Sequence, residues 1–337
     1  MKKSEKKLPI ALTMGDPAGI SAEITIKAWL SRHIESMPPF IFFGSEELLT
    51  RRANLIQCQI KTKKIDKIEN AMIEGIFKEF IPVFDIPIAE EILGKYSKQN
   101  NPQILKSILL AYDSVQKGIT SSIVTNPVNK NSLLYEGITF TGQTEFCAHL
   151  CQRKNPVMLM MSDTLKVVPL TRHIPISQVP RAINRSLLIN TIRVINNDLK
   201  KYFNISTPRI VVTGLNPHAG DNGLIGNEEI NIIYPVISEL QKKKIDIQGP
   251  TSADSFFSSQ NYDYDLVVCM YHDQALIPIK TISSFSAINV TLGIGIVRTS
   301  PDHGTAYPIA EKAVANPSSL IKSLIVADQM VQSYAAR

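Results

Sequence analysis

Cysteine is scarce in this chain. Cys58, Cys147, Cys151 and Cys269 are the four in 337 residues, and their spacing forms no paired framework. That excludes a disulfide-stapled secreted scaffold and fits a reducing compartment. No run approaches the ~18–20 apolar residues that a bilayer crossing needs, so no membrane span is expected. The opening stretch "MKKSEKKLPIALTMGDPAG" is basic. Its apolar run stops after about seven residues at Gly15-Asp16-Pro17, too short and wrongly followed for a signal peptide. A cytoplasmic protein is the expectation. The net charge of +6 is scattered over Lys2-Lys3, Lys6-Lys7, Lys61-Thr62-Lys63-Lys64 and Lys242-Lys243-Lys244, with no interleaved aromatics and no fingers. Those runs read as solvated faces, which argues against a nucleic-acid partner and leaves a small anionic substrate. Also missing are a Gly-x-Gly-x-x-Gly after a strand and a Walker loop, so a Rossmann dinucleotide site is unsupported. No internal repeat or low-complexity linker marks a domain boundary.

What is present is an alternation of β-rich apolar runs with helical patterns, the signature of a largely parallel sheet covered by helices. At 337 residues the chain suits two domains or one large α/β unit. Strands are expected over 9–13, 40–43, 80–84, 122–125, 157–161, 167–170, 209–213, 266–270 and 288–292. Helices are expected over 18–32, 144–153, 179–202, 227–244 and 317–335, with Pro235 kinking the fourth. Leu105, Ile108, Leu109, Tyr112 and Val115 mark another helix, which Gly118 ends.

The chemistry begins where strands stop. Three of the six histidines lie just past an expected strand: His173 in "VVPLTRH", His218 in "RIVVTGLNPHAGD" and His272 in "DLVVCMYHD". Open α/β sheets bind ligands at that edge. One such histidine is ordinary polar punctuation. Three neutral imidazoles from separate strands suit a catalytic divalent metal that keeps an open position for substrate. His33 and His149 fall in helical context and read as structural or exposed. In "CAHLC", Cys147 and Cys151 share a helix face while His149 points away, so a core helix is expected there rather than zinc.

Several loops add to this. "LNPHAGDNGLIGNEE" spaces Gly220, Gly223 and Gly226 ahead of a helix entered at Asn227-Glu228-Glu229, and such loops expose backbone N–H groups to anions. In "TMGDPAGI", Asp16 reads as an N-cap with Pro17 as the first helical residue. A nucleotide cofactor would have to use another loop, and the candidate is "SPDHGTAYPIAEKAVANP", where His303, Gly304 and Thr305 are expected to begin a helix.

These segments together resemble the 4-hydroxythreonine-4-phosphate dehydrogenase family of vitamin B6 biosynthesis. The matching stretches are "TMGDPAGI", "TNPVNK", "TGQTEF", "LTRHIP", "GLNPHAGDNG", "GPTSAD", "YHDQALIPIK", "INVTLG" and "RTSPDHGTA", in the family's order from residue 13 to about 310. The last of them, extended through "YPIAEKAVANP", is similar to the adenosine-side loop of isocitrate and isopropylmalate dehydrogenases. The resemblance implies an α/β protein of two α/β/α domains with largely parallel sheets flanking a central cleft. Residues 1–127 with 286–337 would form the cofactor-side domain, and 128–285 the metal, substrate and dimerisation domain.

By motif, the resemblance puts the metal ligands at His173, His218 and His272. It puts the substrate-binding pattern at Thr144, Lys280, Asn289 and Arg298, with Gln143 beside Thr144. Lys280 and Arg298 are cations suited to a phosphate or carboxylate. Asp254 and Asp273 are supporting carboxylates, and either of them, or a metal-linked water, would take the hydroxyl proton. Lys130 in "TNPVNK" reads equally as a substrate contact or a surface lysine. The implied reaction is NAD(P)-dependent oxidation of 4-phosphooxy-L-threonine at C3, followed by loss of CO2 to give 3-amino-2-oxopropyl phosphate. It would require a divalent metal (zinc, magnesium or cobalt) held in a homodimer whose metal site takes histidines from both subunits. Two other readings stand beside it: the same fold and metal acting on a related phosphorylated hydroxy acid or a diol, and a phosphate-binding acyltransferase or hydrolase. Two departures stand out. Gln143 replaces the family's usual histidine and cannot carry charge near pH 7, which weakens a phosphate contact there or shifts it to Lys280 and Arg298. Gly295 replaces a bulkier, proline-containing turn.

Overall fold

The computed structural model describes residues 7–66, 70–259, 263–283 and 285–337; Lys2, Lys3 and Lys6 of the basic clusters lie outside the described residues. In chain order the strands begin with β1 (Ile10–Thr13), β2 (Phe40–Gly44), β3 (Thr62–Lys64), β4 (Ile81–Asp85) and β5 (Ile123–Val124). A small hairpin follows, β6 (Leu134–Tyr135) with β7 (Ile138–Thr139). Then come β8 (Val157–Met161), β9 (Lys166–Pro169), β10 (Ile210–Thr213), β11 (Ile247–Thr251), β12 (Leu266–Cys269), β13 (Ile288–Leu292) and β14 (Arg298–Pro301).

Two compact units carry these strands. One takes the described residues up to Arg153 together with Ile294–Gln332, the other Lys154–Gly293 with Ser333–Arg337. The divides thus follow Arg153 and Gly293, where the sequence reading had put them after 127 and 285. Segment 128–153 stays with the first unit because its helix Gln143–Leu150 is tied there, Gln143 Nε2 donating to the Asn126 carbonyl at 3.1 Å.

In the first unit the strand order is β14-β5-β1-β2-β4-β3, every pair parallel. A parallel sheet with helices on both faces needs apolar side chains both ways, and all of β1 and β2 is buried. Ala11, Ile41, Phe43, Ile73, Ala111 and Ile123 pack as one core. Helix Asn101–Gln116 lies on it through Ile104, Ser107, Ile108, Ala111 and Ser114. That stripe is rotated from the expected one, with Tyr112 and Leu105 only half-buried. A serine belongs in it because Ser107 Oγ accepts from Met14 N at 2.8 Å and donates to the Phe43 carbonyl at 2.6 Å. The ends of β1 and β2 are thereby linked.

In the second unit the order is β11-β10-β12-β9-β8-β13. The first four strands are parallel, while β8 runs antiparallel to both β9 and β13. Met160, Val167, Val267, Cys269, Ala275 and Ile279 form its core. The architecture is the expected α/β class. Among the described residues no helix is long and apolar enough to cross a membrane.

Several local expectations are corrected. The helix expected over 179–202 is two, Val179–Ala182 and Arg185–Phe203, because Asn184 leaves helical geometry and caps the second, its side chain accepting from Leu187 N at 2.9 Å. The kink expected at Pro235 is a π-helical turn, Glu229–Ile233, running into helix Tyr234–Lys242; a proline without an N–H cannot close the α-type bond at that junction. His303, Gly304 and Thr305 begin no helix: Ala306 is left-handed (φ 50°) and leads only into a 3-10 turn, Tyr307–Ile309. "YHDQALIPIK", to which the sequence assigns no helix, forms helix His272–Ser283 despite Pro278 inside it. Gly295 has φ +86°, a conformation that glycine adopts without a steric penalty, which explains glycine at that departure from the family pattern.

Candidate functional site

Strand ends deliver the three histidines, and two of them meet. His173 follows β9 with left-handed backbone (φ 48°), and His272 opens its helix directly after β12. Their ring centroids lie 5.7 Å apart. The His272 Nδ1–H donates to Asp273 Oδ1 at 2.6 Å. A carboxylate behind an imidazole fixes its tautomer and leaves Nε2 as the donor atom, the usual backing of a metal-binding histidine. A cavity of about 320 Å³ opens here, walled by Thr171, His173, Ile176, Tyr271, His272 and Asp273.

The helix explains the spacing of Lys280. Eight residues make roughly two turns, so His272, Leu276 and Lys280 fall on one face. An open surface along this helix is lined by His272, Asp273, Leu276, Ile277, Lys280 and Thr281. Asn289 lies opposite Met160 in the β13–β8 pairing, its Oδ1 buried without a hydrogen-bond partner.

His218 sits elsewhere in this unit, on an exposed turn after β10. Its electrostatic neighbour is Asp254. The Ser252 hydroxyl donates to Asp254, and with the Ser255 N–H and His218 it holds this carboxyl below the usual range. Among the described residues, no three His, Cys, Asp or Glu side chains of one chain gather as a metal group. One chain therefore supplies two adjoining imidazoles, and a third on a separate outward turn. That donor chemistry fits a borderline divalent cation such as zinc, provided a third ligand reaches the His173–His272 pair.

The first unit carries the other expected contacts. Arg298, 2% exposed on β14, donates from Nη2 to Thr125 Oγ1 at 2.5 Å and from Nη1 to Thr144 Oγ1 at 3.4 Å. Burial lowers the pKa of its guanidinium, while Cys147 and Glu145 raise it; arginine stays charged regardless. Gln143 adjoins Thr144 at the start of helix Gln143–Leu150, with its Oε1 buried and without a partner. Asn126, just past β5, is fully buried; its amide donates to the Thr13 carbonyl and to Thr25 Oγ1, both at 2.9 Å, and its Oδ1 has no partner. The sequence singled out neither Thr125 nor Asn126, although polar residues ending an apolar strand are the same signal that marked the histidines. Lys130 is exposed. Cys147 is buried in its helix while His149 is exposed.

The candidate coenzyme loop is anchored by its neighbours. Ile20 N donates to the Thr305 carbonyl at 3.1 Å, and a Cβ on Gly19 would stand 2.6 Å from that oxygen. Only glycine lets the two segments touch. Gly304 has no heavy atom within 4 Å of where a Cβ would stand, so the backbone there faces open space. Asp16 caps a turn rather than a helix: its Oδ1 accepts from Ala18 N at 2.9 Å, and the helix starts only at Ser21. Buried Arg52 holds that turn, donating to the Gly19 and Pro17 carbonyls at 2.8 and 3.1 Å and to Glu91 Oε1 at 3.1 Å.

Tyr307 OH donates to Asp16 Oδ2 at 2.6 Å and accepts from Asn129 Nδ2 at 3.2 Å. Burial pushes the Asp16 carboxyl up, against the lowering effect of Tyr307 and of backbone donors. Tyr307→Phe is expected to destabilise the protein by about 1.5–3 kcal/mol near pH 7, since the lost bond serves an ionised acceptor. Asp16 then moves further up. A group whose folded pKa is raised binds protons more readily folded than unfolded, so stability falls as pH rises from the ordinary carboxylate range through the folded value. The variant's deficit should therefore shrink toward pH 4; an equal deficit in urea unfolding at both pH values would contradict the bond.

The model of the family described as pyridoxal phosphate biosynthetic protein PdxA matches residues 35–327. The 4-hydroxythreonine-4-phosphate dehydrogenase of Zymomonas mobilis is 43% identical over 323 residues, covering 95% of this chain and 94% of that protein. That of Bradyrhizobium diazoefficiens is 41% identical, covering 96% of each. The crystal structure of 4-hydroxythreonine-4-phosphate dehydrogenase from Klebsiella pneumoniae is 33% identical with a TM-score of 0.84, over 97% of this chain and all of that one. A match along nearly the whole length of both partners makes this chain a member of the PdxA family of pyridoxal phosphate biosynthetic proteins.

Proposed function

We propose that the chain oxidises 4-phosphooxy-L-threonine at C3 with NAD or NADP, and that the β-keto acid formed loses CO2 to give 3-amino-2-oxopropyl phosphate. The observation that carries this reading is the carboxylate-backed pair of imidazoles, His173 and His272, beside a cavity, in a chain of this family. A divalent metal (zinc, magnesium or cobalt) bound there would lower the pKa of the C3 hydroxyl and afterwards polarise the ketone.

The chain's own residues do the rest. Asp273 fixes His272 in the tautomer that presents Nε2. Asp254, kept ionised by Ser252, offsets positive charge near His218. One of these two carboxylates accepts the hydroxyl proton while the C3 hydride passes to the nicotinamide. Lys280, on the histidine face of its helix, and Arg298, held by Thr125 and Thr144, clamp the anionic groups of the substrate. Gln143 and Asn289 add directional hydrogen bonds through side-chain oxygens without partners. His303, Gly304 and Thr305 line the approach of the coenzyme.

The missing third ligand is the His218 of a second copy. Apolar side chains stand in the open close in sequence to all three histidines: Ile176 (67% exposed) after His173, Leu224 (83%) after the His218 turn and Ile277 (63%) on the His272 helix. We read these exposed apolar side chains as part of an interface between copies. A two-fold dimer would cover them and bring each His218 turn to its partner's pair.

The test is reduced-nicotinamide absorbance on mixing the protein with 4-phosphooxy-L-threonine, either coenzyme and a divalent metal. Turnover is expected with that substrate and much less with threonate 4-phosphate or a cyclic diol. Preference for either of those would move the substrate assignment, for which Gln143 is the residue to examine. No signal with any of them would leave the acyltransferase or hydrolase reading.

A further inference from the structure

The turn that carries His218 is in an unfavourable conformation. His218, Ala219, Gly220, Asp221 and Asn222 all have left-handed backbone, with φ of 53°, 52°, 82°, 42° and 55°. Four of the five carry a Cβ, and each such residue costs about 1 kcal/mol or more. A run of this kind persists only where its surroundings dictate it.

Two acidic side chains stand behind it, Glu228, whose Oε2 accepts from Asn216 Nδ2 at 2.8 Å, and Glu229. Glu229 is 1% exposed. Its Oε1 accepts from Leu215 N at 2.7 Å and Asn216 N at 2.8 Å, and its Oε2 from Asn216 Nδ2 at 2.9 Å. Asn216 then holds the turn itself, its carbonyl accepting from Ala219 N at 3.1 Å. The turn lies close upon the same carboxylate. A Cβ on Gly220 would stand 2.8 Å from Oε2, and one on Gly214 3.0 Å from Oε1 and 2.7 Å from Ala219 Cα. A second strut fixes the root of the turn: Gln274, two residues past His272, accepts from Met270 N at 2.7 Å and donates to the Gly214 carbonyl at 2.9 Å.

We propose that Glu229 is a positioning residue for metal binding, holding the left-handed turn so that the His218 imidazole is presented before the cation arrives. This rests on the reading of His218 as a ligand. Glu229 reaches the metal only through the turn, and its removal frees the backbone to relax into ordinary conformations that turn the ring away. Glu229→Gln keeps one acceptor oxygen for Leu215 N and Asn216 N but sets an amide N–H₂ against the Asn216 amide. It should rescue part of the function and Glu229→Ala none.

The experiment measures zinc affinity of the full-length protein by competition with a chromophoric chelator, alongside melting temperature, for wild type, Glu229→Gln, Glu229→Ala and His218→Ala. Affinity is expected to fall about tenfold in Glu229→Gln and about 100-fold in Glu229→Ala, the range typical of residues that orient metal ligands. Wild-type affinity in a folded Glu229 variant, with only the melting temperature lowered, assigns the residue to the fold alone and overturns the proposal. If Glu229→Ala does not fold, Glu229→Gln decides by the same criterion. His218→Ala separates the two readings. Wild-type zinc affinity there removes the ligand assignment itself, whereas loss there with no loss in the Glu229 variants removes only the positioning role.

Discussion

His218→Ala should fold, bind almost no divalent metal and lose turnover by roughly three orders of magnitude or more, since a metal's stabilisation of transition-state charge is worth several kcal/mol. The fold is expected to survive because the side chain is exposed. Melting temperature is expected within a few degrees of wild type, and metal content is the deciding measurement. Unchanged content would count against the ligand assignment. The same lesion reports on how the site is assembled. If each site combines one copy's His173–His272 pair with the other copy's His218, then His218→Ala and His272→Ala protomers complement one another. A mixed dimer has one site with both lesions and one with neither, so refolding the inactive variants together at equal amounts should restore about a quarter of wild-type activity by random pairing. No recovery in a mixture shown to contain mixed dimers would place all three ligands in a single chain.

Arg298→Ala is expected to raise KM by about 10–100-fold, the equivalent of one charge-assisted bond of roughly 1.5–3 kcal/mol, with a smaller change in kcat. Thr125 and Thr144 hold the guanidinium in one orientation, so the fork is organised before substrate arrives. Arg298→Lys keeps the charge and loses the fork, and should recover only part of the effect. An unaltered KM in the alanine variant would remove Arg298 from the anion site.

The strand-end histidines were legible because a polar residue ending a run such as Leu266–Cys269 breaks a simple pattern. The relation between His272 and Lys280 was not, because Pro278 disguises the helix that puts them on one face. Strand β14 escaped notice for the opposite reason. "RTSP" looks like a polar loop, yet it is fully buried, Arg298 finding its partners in Thr125 and Thr144. β11, with Gly249 and Pro250 in the middle of it, shows how an edge strand hides behind turn residues. Glu229 reads in sequence as a surface acid opening a helix, and only the three-dimensional path of the turn before it shows which N–H groups that carboxylate serves. Local pattern found polar groups at strand ends. The groups that hold them in place depend on contacts no spacing rule encodes.

The strand order of the first unit has a consequence for synthesis. β5 pairs with β1 on one side and with β14 on the other. Its second neighbour is therefore made only when residues 298–301 leave the ribosome, after the second unit's strands have all been translated. Until then the nascent sheet keeps one edge open to strand pairing with other chains. That β5 is only two residues long limits how much backbone waits unpaired.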